Sequence, residues 1–483
     1  MERLAYKSIL EWKSSPNRKP LILSGARQVG KTWLLKEFGR REYASCIYIN
    51  CDKDAFAADL FRDYDVKRIL LALEAHTGIH VKGGETLIIF DELQETPRGI
   101  GALKYFCEDA PDIHVAAAGS LLGITLHAGT SFPVGKVDEL MLRPFSFMEF
   151  LSGTGDAPLA KLLDSGEWAA IDTMREAFIE RLRRYFFVGG MPEAVAAFAA
   201  GKPLADIRRI QEAIVNAYQS DISKHAPVRE VPRINLVWRS LVSQLAKENK
   251  KFIYGAIKHG GRAKEFEMAI QWLVDAGTVN RVTRVNKPAM PLKFYEDFGT
   301  FKLFPLDCGL MGAMAGTPAA AILAGNAGFE EYKGAFTEAY VLAEMLASTN
   351  SPIFYFSAAD TTVEIDFLVQ KGTEVIPIEV KAAENLNSKS LKTFVTANKG
   401  LHGVRFSLAP YREQDWMRNI PLYAVSAFFS RCSPYSIQLS KINPKTTGIS
   451  TPQGSPQITE SVVSPMPGFV FPLAICGSFW GFC

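Results

Sequence analysis

Leu21-Ile22-Leu23-Ser24-Gly25-Ala26-Arg27-Gln28-Val29-Gly30-Lys31-Thr32 sets a compact apolar run directly ahead of a loop with a glycine near each end. Leu21 to Leu23 read as a short buried strand. Residues Gly25 to Thr32 fit the spacing GxxxxGK[ST], and apolar periodicity from Thr32 to Phe38 predicts a helix directly after it. Strand, loop and helix in this order form a phosphate cradle. The glycines let the backbone of Gly25, Ala26, Arg27, Gln28, Val29 and Gly30 turn its N–H groups inward. Lys31 then reaches the β and γ phosphates, and Thr32 offers a hydroxyl to Mg2+. The helix starting at Lys31 adds its positive end to the anion site.

Downstream, Leu87-Ile88-Ile89-Phe90-Asp91-Glu92 supplies a second half. An apolar strand buried in a sheet would deliver Asp91 beside the Mg2+, to bind it through its water shell. Glu92 would then orient the attacking water or accept its proton. Val115 to Ala118 is a further strand ending at Gly119-Ser120, which puts the Ser120 hydroxyl beside Asp91 at the same sheet edge. Ser120 is read either as a γ-phosphate or water contact or as a turn serine. Together these residues predict ATP or GTP binding, with hydrolysis. An arginine should stabilise charge on the transferred phosphoryl group. Arg143, Arg181, Arg183 and Arg184 are candidates, and spacing selects none of them. An arginine from a neighbouring copy would imply a homo-oligomer, whereas one within the chain would allow a monomer.

Around these motifs the strands Cys46 to Ile49, Thr86 to Phe90, Val115 to Ala118 and Leu140 to Leu142 alternate with helical patterns, so a parallel sheet covered by helices is expected over 1–150. The chain has 483 residues, enough for two or three domains. Its 48% hydrophobic and 22% charged content is that of a soluble protein with large cores. Net charge is +3, which neither points to nor excludes nucleic acid, because a balanced total can hide a basic face. Seven scattered cysteines without zinc-finger spacing suit a reducing compartment. No secretory leader is visible and no run reaches the ~20 apolar residues of a membrane helix. The expectation is a cytoplasmic protein without a membrane partner.

Residues 151–230 read as a helical lid or connector broken at Gly189-Gly190-Met191-Pro192, and 231–290 as a winged-helix-like module with a helix near Arg262 to Leu273 and a strand Val279 to Val285. Residues 291–428 return to an α/β pattern with strands at Ile353, Val363, Val375, Val404 and Leu422 to Val425. Ser, Pro, Thr, Gln and Gly then dominate, predicting a disordered tail over 429–483.

Residues 21–150 resemble the AAA-type ATPases that carry a C-terminal DUF4143 domain in bacteria and archaea. The likeness rests on GARQVGKT, LIIFDELQ (Leu87 to Gln94), LKYF (Leu103 to Phe106), AAAGSLLG (Ala116 to Gly123), SFPVGKV (Ser131 to Val137) and RPFSFMEF (Arg143 to Phe150). It continues in FFVGGMPEAV (Phe186 to Val195), YQSDISKH (Tyr218 to His225) and KLFPLDCGL (Lys302 to Leu310). The resemblance places Lys31 and Thr32 at the P-loop, Asp91 and Glu92 at the Walker B pair and Ser120 at the sensor position.

The later domain carries a second set of charges: Glu338 in a helix, Asp366 in VEIDFLV, and Glu379-Val380-Lys381 in PIEVK. Period-two alternation puts Glu379 and Lys381 on one side of a strand. Asp366 and Glu379 could share a Mg2+ completed by Glu338, while Lys381 activates water or stabilises charge on a phosphate. This resembles the PD-(D/E)xK nuclease fold, although Ile365 stands where the name motif has proline. Lys247 to Lys251, Lys258, Arg262 and Lys264 add basic character suited to phosphate contacts. The expected fold class is therefore α/β: an AAA-like P-loop sheet, a helical and winged-helix-like middle and a nuclease-like α/β domain. The expected function couples ATP and Mg2+ to a domain that engages DNA or RNA. The competing reading is a regulatory switch whose nuclease-like domain docks without cleaving.

Overall fold

In the N-terminal sheet the strands β1 (Leu21–Ser24), β2 (Ser45–Asn50), β3 (Thr86–Asp91), β4 (His114–Ala118) and β5 (Asp138–Met141) are all parallel, in the order β2-β3-β4-β1-β5. The computed structural model describes residues 3–120, 132–247, 250–324, 327–358, 363–383 and 387–431. Strand periodicity explains how the sheet is covered on both faces. Leu21, Leu23, Leu87, Ile89, Ala116 and Ala118 enter one core, while Ile22, Ile88, Phe90, Val115 and Ala117 enter another. β1 lies between β4 and β5, so the loop after it opens where the chain crosses over to distant strands. Ligands of open parallel sheets gather at such an edge.

Helices fill the region 147–225, including Arg175–Val188 and Leu204–His225. Helices Val231–Leu245, Tyr254–Ile257 and Ala263–Asp275 then precede a hairpin of β6 (Val279–Val285) and β7 (Glu296–Pro305). That hairpin does not stand apart. β6 also pairs in parallel with β8 (Ile353–Ser357), which leads into β9 (Glu364–Lys371), β10 (Glu374–Val380), β11 (Gly403–Ser407), β12 (Arg412–Gln414) and β13 (Met417–Pro421). The result is one mixed sheet ordered β12-β13-β11-β10-β9-β8-β6-β7, running across the division expected at 290. The reason is hydrogen bonding: without β6, the β8 edge would expose its unpaired backbone groups.

Leu422–Ala424 is a 3-10 turn followed by a helix, Val425–Arg431, where the sequence predicted a strand and, from 429, a tail. Leu422, Tyr423, Ala424, Val425, Ala427 and Phe429 are buried in the principal core, and that burial carries the chain past the expected boundary. The principal core runs from Ile9 to Phe429 and joins both sheets through the helices between them. The described residues fall in one compact unit, Met1–Pro434, and the expected tail from 432 onward lies outside them. Among the described residues no helix is long and apolar enough to cross a membrane.

Candidate functional site

The loop after β1 has the backbone its sequence requires. Gly25 adopts φ 137°, Gln28 φ 66° and Gly30 φ 94°, alternations of hand that turn successive N–H groups toward a common concavity. A Cβ on Gly25 would lie 2.3 Å from the Leu142 carbonyl oxygen, so only glycine fits. Gly30 caps the helix Lys31–Glu42, which starts at the loop. The Lys31 ammonium is 6% exposed and donates to the Gly25 and Ala26 carbonyls at 2.9 and 2.8 Å. Burial lowers its pKa to about 8, against the pull of Glu92 and Asp91 in the other direction.

β3 delivers the two acids. Thr32 Oγ1 and the Tyr48 hydroxyl each donate to Asp91 Oδ2 at 2.8 Å, so two neighbouring elements fix that carboxylate. Glu92 departs from the strand with φ 51°, a left-handed conformation costly for a residue with a Cβ. Its Oε2 accepts from Gln94 at 2.6 Å and from the Ser120 amide and hydroxyl, both at 3.4 Å. The structure thus brings Lys31, Thr32, Asp91, Glu92 and Ser120 to one edge of the sheet. Thr32 and Asp91 are the residues that could hold a magnesium ion accompanying a triphosphate.

The C-terminal acids are gathered differently from the sequence expectation. Glu338 receives Lys250, and Lys302 Nζ lies 4.0 Å from its Oε2 and 2.6 Å from Glu364 Oε1. Burial pushes the Glu338 carboxyl up, but Lys250 and Lys302 outweigh it and hold the pKa below the ordinary value. Asp366 lies in a stretch of β9 where the pairing with β8 slips by a residue, and its Oδ2 accepts from the Val380 amide at 2.7 Å. Burial, then repulsion from Glu338, pushes its carboxyl up to about 7. Glu379 instead pairs with Lys381 at 2.9 Å. Among the described residues no three His, Cys, Asp or Glu side chains converge as a metal site demands. Glu338, Asp366 and Glu379 therefore do not assemble as the shared ligand set expected from spacing. Glu338 and Asp366 are hydrogen-bonded to each other beside Lys250 and Lys302, whereas Glu379 is drawn off to Lys381.

The AAA domain family matches residues 17–151, the stretch that holds the loop, the acid pair and the five parallel strands. A domain of unknown function, DUF4143, matches residues 333–425, and another, DUF8612, matches 179–321. The chain thus carries an AAA domain followed by a C-terminal DUF4143 domain. Its N-terminal part is accordingly an AAA-type P-loop ATP-binding domain. No protein of curated function matches the chain. Among solved structures, the Orc1 protein of Aeropyrum pernix in complex with DNA is 14% identical, with a TM-score of 0.27, covering 67% of this chain and 95% of that one. Cdc6p from Pyrobaculum aerophilum is 12% identical, with a TM-score of 0.24, covering 67% and 93%. At these scores neither likeness carries an argument.

In this chain several long-range contacts around the loop have no motif to announce them. Arg27 forms an ion pair with Asp221 of the helix Leu204–His225, and the Tyr218 hydroxyl donates to the Arg27 carbonyl at 2.8 Å. Arg3, buried ahead of the first helix, donates to Val29 O and Glu149 Oε1, each at 3.0 Å, and so braces the loop from behind. Gly277, between the helix Ala263–Asp275 and β6, packs against Ala26. Arg27, Glu149, Tyr218 and Asp221 fall within the segments GARQVGKT, RPFSFMEF and YQSDISKH, whereas Arg3 and Gly277 lie in none. Of the arginine candidates, Arg143 is half-buried and donates to Asn280 Oδ1 at 2.7 Å, Arg181 is held by Asp156, Arg184 by Glu180, and Arg183 is exposed. Lys250, placed by its neighbours in a basic phosphate-contacting run, points inward onto Glu338 instead.

Proposed function

We propose that the protein is an ATP-hydrolysing switch that passes its nucleotide state to the C-terminal sheet. The carrying observation is the grouping of Lys31, Thr32, Asp91, Glu92 and Ser120 at the edge of the parallel sheet. Lys31 and the inward amides neutralise the phosphates, Thr32 and Asp91 hold the accompanying magnesium, and Glu92 orients the water and takes its proton. Ser120, hydrogen-bonded to Glu92, positions that carboxylate. Coupling runs through Arg27–Asp221 and the Gly277 contact, which tie the phosphate loop to the helices and hairpin that continue into the second sheet.

Nucleic acid is the partner this reading favours. Lys258, Arg262 and Lys264 belong to the helical unit before β6, with Lys258 and Lys264 exposed, as phosphate contacts require. The rival occupant is a protein docking on the same sheet.

The expected outcome is that Lys31→Ala abolishes ATP binding, while Glu92→Gln retains it and lowers turnover by about 10²–10⁴-fold. Calorimetry and phosphate release measure the two. Normal turnover in Glu92→Gln would remove the base role. In the Glu92→Gln protein, ATP should change the affinity for duplex or single-stranded nucleic acid; unchanged affinity would shift the reading to a protein partner.

A further inference from the structure

Glu338 and Asp366 are two of the acids with which a metal-dependent nuclease would gather its ion, and here Lys250 and Lys302 converge on Glu338, to which Asp366 is hydrogen-bonded. We propose that Lys302, with Lys250, is the resident cation of this cluster. The acids then tie β7 and the Lys250 connection to β9 and the helix Ala327–Ser348 and do not hold a divalent metal. The inference concerns the C-terminal half alone and is independent of ATP turnover.

Lys302 is the deciding residue. It projects from β7, is 1% exposed and reaches Glu364 Oε1 at 2.6 Å, with the Tyr355 ring centroid 4.8 Å away. Lys250 comes from the connection between helices Val231–Leu245 and Tyr254–Ile257 and engages Glu338 from the other side. Two ammonium groups therefore already face the carboxylates of Glu338, Glu364 and Asp366. A dication beside Glu338 would sit close to a buried ammonium that solvent cannot screen. Asp366 spends one oxygen on the Val380 amide.

Two features speak for a metal. Glu338 Oε2 and Glu379 Oε2 are buried without a hydrogen-bond partner. Each belongs to a carboxylate whose other oxygen a lysine engages, and a buried water satisfies such an atom. The cluster also draws on four separate elements: the Lys250 connection, β7, the helix Ala327–Ser348 and β9. Cross-linking of that kind is what a structural charge cluster does. Removing one partner strands the others in a low-dielectric interior.

The test uses the full chain without nucleotide. Manganese binding followed by electron paramagnetic resonance should be the same in wild type and Asp366→Asn, and neither should cleave DNA or RNA. Glu338→Gln should lower the melting temperature by several degrees, with or without manganese. At a metal site the same change would raise it or leave it, by relieving repulsion between carboxylates. Lys302→Met combined with Lys250→Ala should gain manganese binding that Asp366→Asn then removes. Should that double variant fail to fold, the wild-type comparison and the Glu338→Gln shift still decide. Asp366-dependent manganese binding or cleavage in the wild type, or a raised melting temperature in Glu338→Gln, would overturn the proposal.

Discussion

In the proposed nucleotide site, Lys31 is the residue through which pH should act. Its folded pKa of about 8 lies below the ordinary 10.5, with burial as the cause. Below pH 8 the ammonium is charged and ready for phosphate; above it the nucleotide-free loop is neutral, and binding has to recover a proton. Apparent ATP affinity should therefore fall as pH rises past 8, approaching about tenfold per pH unit. The sign for stability is the reverse. The unfolded chain holds this proton more tightly, so Lys31 makes folding more favourable as pH climbs from 8 toward 10.5. Calorimetric titration on both sides of pH 8 measures the first effect, and a pH-independent affinity would remove Lys31 from the phosphates. That Lys31, Thr32, Asp91 and Glu92 gather at one sheet edge was legible from spacing. The Tyr48 hydroxyl on Asp91 and the Arg3 brace were not, because neither belongs to a local pattern and both reach the site across the fold.

Among the elements, the break at Gly189-Gly190-Met191-Pro192 shows how a local signal acquires a distant partner. Glycine and proline announce a turn, and helices end and begin there. What holds the turn is Asp307, which accepts from the Gly190 amide at 2.6 Å and caps the helix Cys308–Met314 through the Leu310 amide at 2.9 Å. Gly190 also fits against Phe145, whose carbonyl oxygen would lie 2.1 Å from an added Cβ. Asp307→Ala leaves two buried donors unpaired and should cost about 2–4 kcal/mol in denaturant unfolding. A change within error would mean that water replaces the carboxylate. β9 makes the same point. Alternation predicts its faces, but the slipped pairing with β8 around Asp366 is set by the neighbouring strand.

For the molecule as a whole, the shared core has a consequence for dissection. β6 lies between β7 and β8, and the core of the second sheet is continuous with the helices that cover the AAA sheet. A fragment starting at 291 and ending at 431 would lose β6 and split the sheet. It should lack near-ultraviolet circular dichroism and a cooperative thermal transition, whereas the full chain should show both; a cooperatively melting fragment would show that the second sheet folds without β6. The sequence by itself determined the parallel P-loop sheet, its phosphate loop and its acid pair, because each rests on local spacing and strand periodicity within a few residues. It also determined that acids and a lysine recur near 338, 366 and 379–381. Only the tertiary structure decided that β6 joins the later strands, that Arg27 answers to Asp221, and that Lys250 and Lys302 meet Glu338. Those are long-range electrostatic and hydrogen-bonding choices, and an ammonium finds its carboxylate through the fold and not through its place along the chain.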